Sequence, residues 1–565
     1  MMKSNVKQIN GQKLLQFYMN LFEGTKTNYG FFGYPHTFSC IQYKEPWLPK
    51  PFLEIIDSFP MRMSMGKIQT AQCYKNHPRM EVTRFDHMVF AESIGVDLLA
   101  ILEDNGFHID NETKIAFLVF LLTHDIGHGP FSHPFEQMVD GYKGMHEDIG
   151  RRAIEEIPEV KNVLENIYPG LTERVVNFKE HDKYGLYALL EGIFDLDRAA
   201  FLIMDTYLMD GEDKEKAFDE IVESVYTIFD NIVLKDGKAY IKECAFKAVD
   251  DFIRIRYENY KGVYQSSNRV LSDLVLKRLG TSVLQYSKTD EFKERVNKLP
   301  FNIAKEVLDF VDFIAEMKLK KADIDLEKYY NFEDRNFERI FQFLMLLDNP
   351  EISRDCLVMI SPNKMNNMYY QVDKDVPEYG SEDFYVDNVV KIYKSTVDEN
   401  ITFIREDGST IDYKDCDGKF TDNLTYRETL SFTRRAVESL YNEDVVRRNL
   451  EEELNQLLIE HEWDIRDLRA REGYPSDEDV IDKLNHYVAS ISDSISFSSH
   501  SKVKDMDEYC SLYNISKRTL LCYLLMYGND RRILEICIML LSDNLGAYKD
   551  LIGDKNLGTE GMLKK

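Results

Sequence analysis

Residues 112–122, ETKIAFLVFLL, form a strongly apolar run that passes directly into THDIGHGPFSH at 123–133. The run has a charged start and no glycine or proline. It is too long for an ordinary strand and reads as a helix. A helix that is apolar on every side must be covered by other elements, so the chain around it is committed to a layered helical core. The segment that ends the run is of another kind, with three histidines, one aspartate and two glycines in eleven positions.

The rest of the chain supports a helical reading. Proline is scarce, 15 in 565 residues. Residues 186–209 and 243–279 contain none and space their apolar residues helically. Two stretches break the pattern. Residues 350–377 look like a loop-rich boundary, and ITFIREDGSTIDYKD at 401–415 places β-branched and aromatic residues around a D-G turn, which predicts a hairpin. From 425 onward helical composition returns. The expected class is all-α with a small β element. The expected division is 1–50 as an N-terminal segment, 51–320 as the helical core, and 321–565 as an accessory, mostly helical region with a hairpin near 400–415. A chain of 565 residues exceeds one ordinary core, in keeping with two to four structural units.

Composition excludes several classes. A net charge of −28 leaves no general attraction for nucleic acid or an anionic membrane. Hydrophobic content of 44% is too high for a disordered chain. No 18-residue apolar stretch occurs, so no membrane span is expected. The start lacks a secretory apolar block, and the eight cysteines include no C-x-x-C pair. Free thiols in the cytoplasm are the expectation.

Six of the twelve histidines lie between 87 and 146. His124 and Asp125 are adjacent at the end of the apolar helix, where two neighbouring side chains can aim at one point. Imidazole nitrogen and carboxylate oxygen together suit a divalent metal such as Mn, Fe, Co or Zn. An upstream candidate stands in RFDH, His87, and a downstream one in DLDR, Asp197. His108, His181 and His461 have no such context and read as surface or packing residues.

His87, the His124–Asp125 doublet and Asp197 resemble the H…HD…D signature of HD-domain phosphohydrolases, in which these four side chains hold one metal inside a helical bundle. GHGPFSH closely resembles the deoxynucleoside triphosphate (dNTP) triphosphohydrolases within that superfamily. The resemblance spans about 55–280. Outside its motif core, TRFDH resembles a phosphate-binding arginine followed by the first ligand, giving Arg84 and His87. Gln69 stands where the family carries a sugar-side glutamine, and Asp205 where it carries a sugar-contacting aspartate. Arg198 stands at a phosphate-contacting position. RYENYKGVYQ resembles the helix that supplies Arg256 for phosphate and Tyr264 for the sugar. Three differences stand out. HMVFAESIGV is about one turn longer than the usual H-S-L-G-V, Phe201 replaces a tyrosine, and Tyr264 is followed by Gln265 and Ser266 instead of completing Y-x-H.

The resemblance implies an HD bundle with a helical C-terminal extension and one divalent ion per site (Mn, Fe, Co, Mg or Zn). The reaction it implies is hydrolysis of dNTPs to deoxynucleoside and tripolyphosphate. His128 and His133 would contact phosphate, and His146 with Glu136 would transfer the proton. Relatives imply a regulated homo-oligomer with a nucleotide effector, and dNTP depletion as an antiviral device. Two rival readings remain at this stage. One is an HD hydrolase of a cyclic or oligonucleotide signal. The other is a catalytically quiet nucleotide sensor that meets a partner protein through its C-terminal region.

Overall fold

The computed structural model describes residues 47–71, 73, 77, 79–190, 194–209, 214–264, 266–360 and 401–420, the short pieces 17–22, 29–31, 369–371, 384–386 and 431–434, and positions 454, 521 and 524. The fold is all-α in class, with three small sheets among the described residues. The chain divides into two compact units. The first comprises 1–284, 312–339 and 371–432, and the second 285–311, 340–370 and 433–565. No helix among the described residues is long and apolar enough to cross a membrane.

The apolar run is helix Asn111–Thr123, started by Asp110, whose carboxylate accepts from the Thr113 amide at 2.8 Å. Ala116, Phe117, Leu118 and Val119 are fully enclosed. Burying each large side chain of this kind contributes about 1.5–3 kcal/mol. Helix Arg84–Asp104 packs along this run and also against Leu196–Leu208, which in turn leads to Lys214–Asp230 and Phe246–Asn259. Gly95 permits that approach. A Cβ there would lie 2.4 Å from Leu121 Cδ1. The longer spacing in HMVFAESIGV is therefore absorbed by one uninterrupted 21-residue helix with its glycine at the crossing.

A four-stranded sheet flanks this bundle. Ile232–Lys235 and Lys238–Lys242 form an antiparallel hairpin, Lys238–Lys242 pairs in parallel with Thr402–Ile404, and Thr402–Ile404 pairs antiparallel with Thr410–Asp412. Asp236 and Gly237 turn the first hairpin with φ of 52° and 70°, the left-handed pair that a two-residue hairpin loop requires.

Three local expectations change. Within 350–377, Pro350–Ile360 is helical. Asn349 accepts from the Ile352 amide at 3.2 Å, and Pro350 with Glu351 suits a first turn, so Asn-Pro-Glu starts a helix here. Within 186–209, Leu186–Leu189 is a 3-10 turn and the α-helix begins at Leu196, where Asp195 caps it. Within 243–279, helix Phe246–Asn259 ends in a wide π turn at Tyr260–Tyr264 before Ser267–Tyr286 resumes. Beyond 425, where helices are expected, Ser431–Arg434 is a strand, and the rest lies outside the described residues apart from the single positions 454, 521 and 524.

Candidate metal centre and the histidines beside it

Three helix termini build the centre. TRFDH is a capping box. The Thr83 hydroxyl accepts from the Asp86 amide at 3.1 Å, and Asp86 accepts from the Thr83 amide at 3.0 Å. That lock puts Arg84 on the first helical residue and His87 one turn later on the same face. His124 follows directly on helix Asn111–Thr123. Asp197 sits in the first turn of Leu196–Leu208, where the helix dipole favours a carboxylate.

The four side chains converge. Candidate ligand atoms of His87, His124, Asp125 and Asp197 all lie within 4.8 Å of one another. His87 Nε2 is 3.2 Å from His124 Nε2, 2.9 Å from Asp197 Oδ1 and 3.5 Å from Asp125 Oδ2. His124 Nδ1 donates to the Leu121 carbonyl at 2.8 Å, which leaves Nε2 as the lone-pair nitrogen facing the cluster. Two imidazole nitrogens and two carboxylate oxygens aimed at one point fit a borderline divalent cation. Electrostatics agree. Burial opposes charging His124, but the Asp125 and Asp197 carboxylates push its pKa up to about 9, the behaviour of a spot that attracts positive charge.

Asp125 serves more than one neighbour. Its Oδ2 also receives Arg84 Nη1, while Oδ1 lies 3.3 Å from His128 Nε2. Burial would raise its pKa, yet Arg84 and the two histidines hold it well below the usual carboxylate range. Arg84 is further fixed by Ser132 Oγ at 3.1 Å and the Gln69 carbonyl at 3.3 Å. Burial and Arg84 hold His128 neutral.

Through His128 the centre joins a second group. His128 stacks on His146 with ring centroids 4.0 Å apart, and His133 meets both rings edge-on at 5.0 and 5.1 Å. Glu136 Oε1 lies 2.5 Å from His146 Nδ1 and also accepts from the His146 amide at 3.2 Å. Burial would raise the Glu136 pKa, but its histidine neighbours bring it down to about 2, so it is a firm carboxylate. His133 is 63% exposed and Asp197 39%, which opens the site toward solvent on that side. The loop between carries its own glycine requirement. A Cβ on Gly127 would fall 2.0 Å from the His146 carbonyl oxygen, so that glycine lets the His146 helix close in.

A third group lies nearby. The Tyr264 hydroxyl donates to Asp205 Oδ2, and Phe201 meets the Tyr264 ring edge-on at 6.0 Å. Asp205 Oδ1 and Gln69 Oε1 are buried with no hydrogen-bond partner. Burial pushes Asp205 up to about 7. Arg198 Nη1 pairs with its own helix cap, Asp195, at 2.7 Å, and the Arg256 guanidinium lies 5.4 Å over the Tyr260 ring. His108 is exposed, and His181 pairs with Glu173 at 2.8 Å.

Sequence reasoning missed Lys67, Ser132, Tyr329, Tyr330 and Asp334. Ser132 lies inside the motif. Lys67 stands two residues before Gln69, and the other three fall in the region assigned to 321–565, more than 190 residues from the loop they touch. No local pattern announces such long-range support.

No family model matches the chain. Among curated relatives, an uncharacterized protein of Bacillus subtilis is 31% identical over 186 residues, 32% of this chain and 41% of that protein. A protein of Acanthamoeba polyphaga mimivirus described as HD domain-containing is 25% identical over 287 residues, covering 46% and 60%. A Dictyostelium discoideum protein named as a deoxynucleoside triphosphate triphosphohydrolase SAMHD1 homolog is 22% identical over 325 residues, covering 55% and 61%. The matches span 41% to 61% of the length of these relatives. Among solved structures, a phosphohydrolase from Bacteroides thetaiotaomicron shares the fold with a TM-score of 0.53 at 18% identity, over 68% of this chain and 95% of that one. With its H…HD…D side chains brought together on a helical fold shared with a solved phosphohydrolase, the chain resembles the HD-domain phosphohydrolases.

Proposed function

We propose that the chain hydrolyses dNTPs in a metal-dependent reaction, releasing deoxynucleoside and tripolyphosphate. The observation that carries this reading is the Asp125 bridge. One carboxylate faces the four-residue ligand cluster with Oδ2 and the histidine group with Oδ1. His87, His124, Asp125 and Asp197 would hold the metal, which supplies a more acidic water and a polarised phosphoryl oxygen when bound.

The remaining steps belong to side chains. His133, exposed at the rim, would donate a hydrogen bond to a phosphate oxygen, and His128, neutral with Nε2 directed at Asp125, would line the phosphate site beside it, stacked on His146. Arg84, Arg198 and Arg256 would balance the triphosphate charge. As the water oxygen bonds to the α-phosphorus, the bond to the 5′-oxygen breaks, and that oxygen needs a proton. His146 would deliver it from Nε2, because Glu136 engages Nδ1 and supports the imidazolium. Gln69, Asp205 and Tyr264 would receive the deoxyribose, with the bare Asp205 and Gln69 oxygens accepting from its hydroxyl. A nucleotide effector, a homo-oligomer and a role in antiviral dNTP depletion in the cytoplasm rest on the resemblance alone.

The test is incubation of the full chain with each dNTP and rNTP under Mn, Fe, Co, Mg and Zn. Turnover of dNTPs that stops with a chelator and returns with metal supports the reading. Turnover of cyclic or oligonucleotide substrates, with dNTPs left intact, replaces it.

A further inference from the structure

Three consecutive carbonyls of the Ile126-Gly127-His128 segment are each taken by a side chain from far along the chain. Tyr330 Oη donates to Ile126 O at 2.9 Å, Tyr329 Oη to Gly127 O at 2.8 Å, and Lys67 Nζ to His128 O at 2.7 Å. Three residues on, the Phe131 amide donates to Asp334 Oδ1 at 2.8 Å, and Asp334 Oδ2 accepts from the Ile68 amide at 2.9 Å. The Lys67 carbonyl accepts from the Arg84 amide at 2.8 Å. Lys67 therefore links the start of the helix carrying Arg84 and His87 to the loop carrying His128 and His133.

Lys67 is an unusual residue to find there. Its exposure is 1%, and lysine is almost never enclosed unless paired. Among the described residues no carboxylate lies within ion-pairing distance of it. Its amino group instead rests 4.6 and 5.2 Å from the ring centroids of Tyr330 and Tyr329, and donates to the His128 carbonyl at 2.7 Å. The loop has a matching need. Phe131 and Ser132 are consecutive non-glycine residues with φ of 55° and 57°. Such backbone persists only where its surroundings over-determine it, and here it returns the chain so that His133 faces His128 and His146.

We propose that Lys67 is a positioning residue for the histidine group, acting through the His128 carbonyl and braced by Tyr329, Tyr330 and Asp334. Only its kinetic readout rests on the dNTP-hydrolysis reading. A second readout, amide hydrogen exchange, is independent of the substrate.

The experiment uses the full chain with Lys67→Met, which keeps the apolar stem and removes the donor and the charge, and Lys67→Gln, which keeps an N–H donor. In Lys67→Met, exchange across 126–133 accelerates at least tenfold while helices Arg84–Asp104 and Leu196–Leu208 and the bound metal stay as in the parent. With dNTP, kcat falls at least tenfold and KM changes less than twofold. Lys67→Gln recovers part of both losses. Unchanged exchange over 126–133 overturns the proposal, and so does acceleration spread evenly through the first unit. If Lys67→Met does not fold, Tyr330→Phe is read the same way, with faster exchange at 126–128 expected and unchanged exchange overturning it. A parent that hydrolyses no dNTP removes the proposed reaction, while the exchange data still decide the role of Lys67.

Discussion

Asp125→Asn separates the two duties of the central carboxylate. Asparagine keeps the shape but offers one oxygen and one amino group. If the oxygen faces the ligand cluster, the amino group meets His128 Nε2, 3.3 Å from the present Oδ1. His128 must then move its proton to Nδ1, which is buried with no partner. An unsatisfied buried donor costs about 1–3 kcal/mol. If the amide turns the other way, its amino group faces Arg84 and the cluster, where it can neither pair with the guanidinium nor ligate a metal. Either way the charged acceptor for Arg84 is lost, worth about 1 kcal/mol as the difference between charged and neutral hydrogen bonds. The sum is about 2–4 kcal/mol against the metal-competent arrangement, or roughly 30- to 1,000-fold in metal affinity. The assay is metal competition against a chelator of known affinity, with metal content by mass spectrometry and folding by circular dichroism. Parent-like affinity in a folded variant would refute the bridging role of Asp125.

Three further outcomes follow from the geometry. Glu136→Gln should keep its metal and lose about 5- to 30-fold in kcat, because a neutral acceptor replaces a carboxylate at His146 Nδ1, a difference of about 1–2 kcal/mol; steady-state kinetics with metal analysis decides it. Tyr264→Phe removes the hydroxyl that donates to Asp205, and should reduce the dNTP-to-rNTP preference by about tenfold in competition assays, the scale of one buried hydrogen bond. Glu92 is enclosed and accepts from the Tyr18 hydroxyl at 2.7 Å, and burial pushes its pKa from 4.5 up to about 8. The folded chain keeps a proton that the unfolded chain releases, so its stabilising contribution is full below about pH 4.5 and is lost as pH rises to about 8; thermal melts should show Glu92→Gln lacking this decline and melting above the parent at pH 8.

The sequence was most readable where chemistry and periodicity coincide. Helix Asn111–Thr123 lies within one residue of the 112–122 reading at each end, because a run apolar on all sides has few ways to be buried. The His124–Asp125, His87 and Asp197 set comes together in space as well as in pattern. Other features were less legible. Asp236-Gly237 is a hairpin signal that helical spacing on both sides obscures. Pro350 suggested a break where Asn349 makes it a helix start. The cradle formed by Lys67, Tyr329, Tyr330 and Asp334 bridges up to 266 positions, and the boundary drawn at 320 passes between the loop and its support. Those residue types are ordinary locally, and their role exists only once the chain has folded.

The central claim is cleavage between the α-phosphorus and the 5′-oxygen at a site made by the Asp125-linked groups. The most direct measurement is hydrolysis of a dNTP in ¹⁸O-water, with products separated by ion exchange and weighed by mass spectrometry. The expected result is intact tripolyphosphate carrying one ¹⁸O, together with unlabelled deoxynucleoside. Release of orthophosphate or pyrophosphate, or label in the deoxynucleoside, would contradict it.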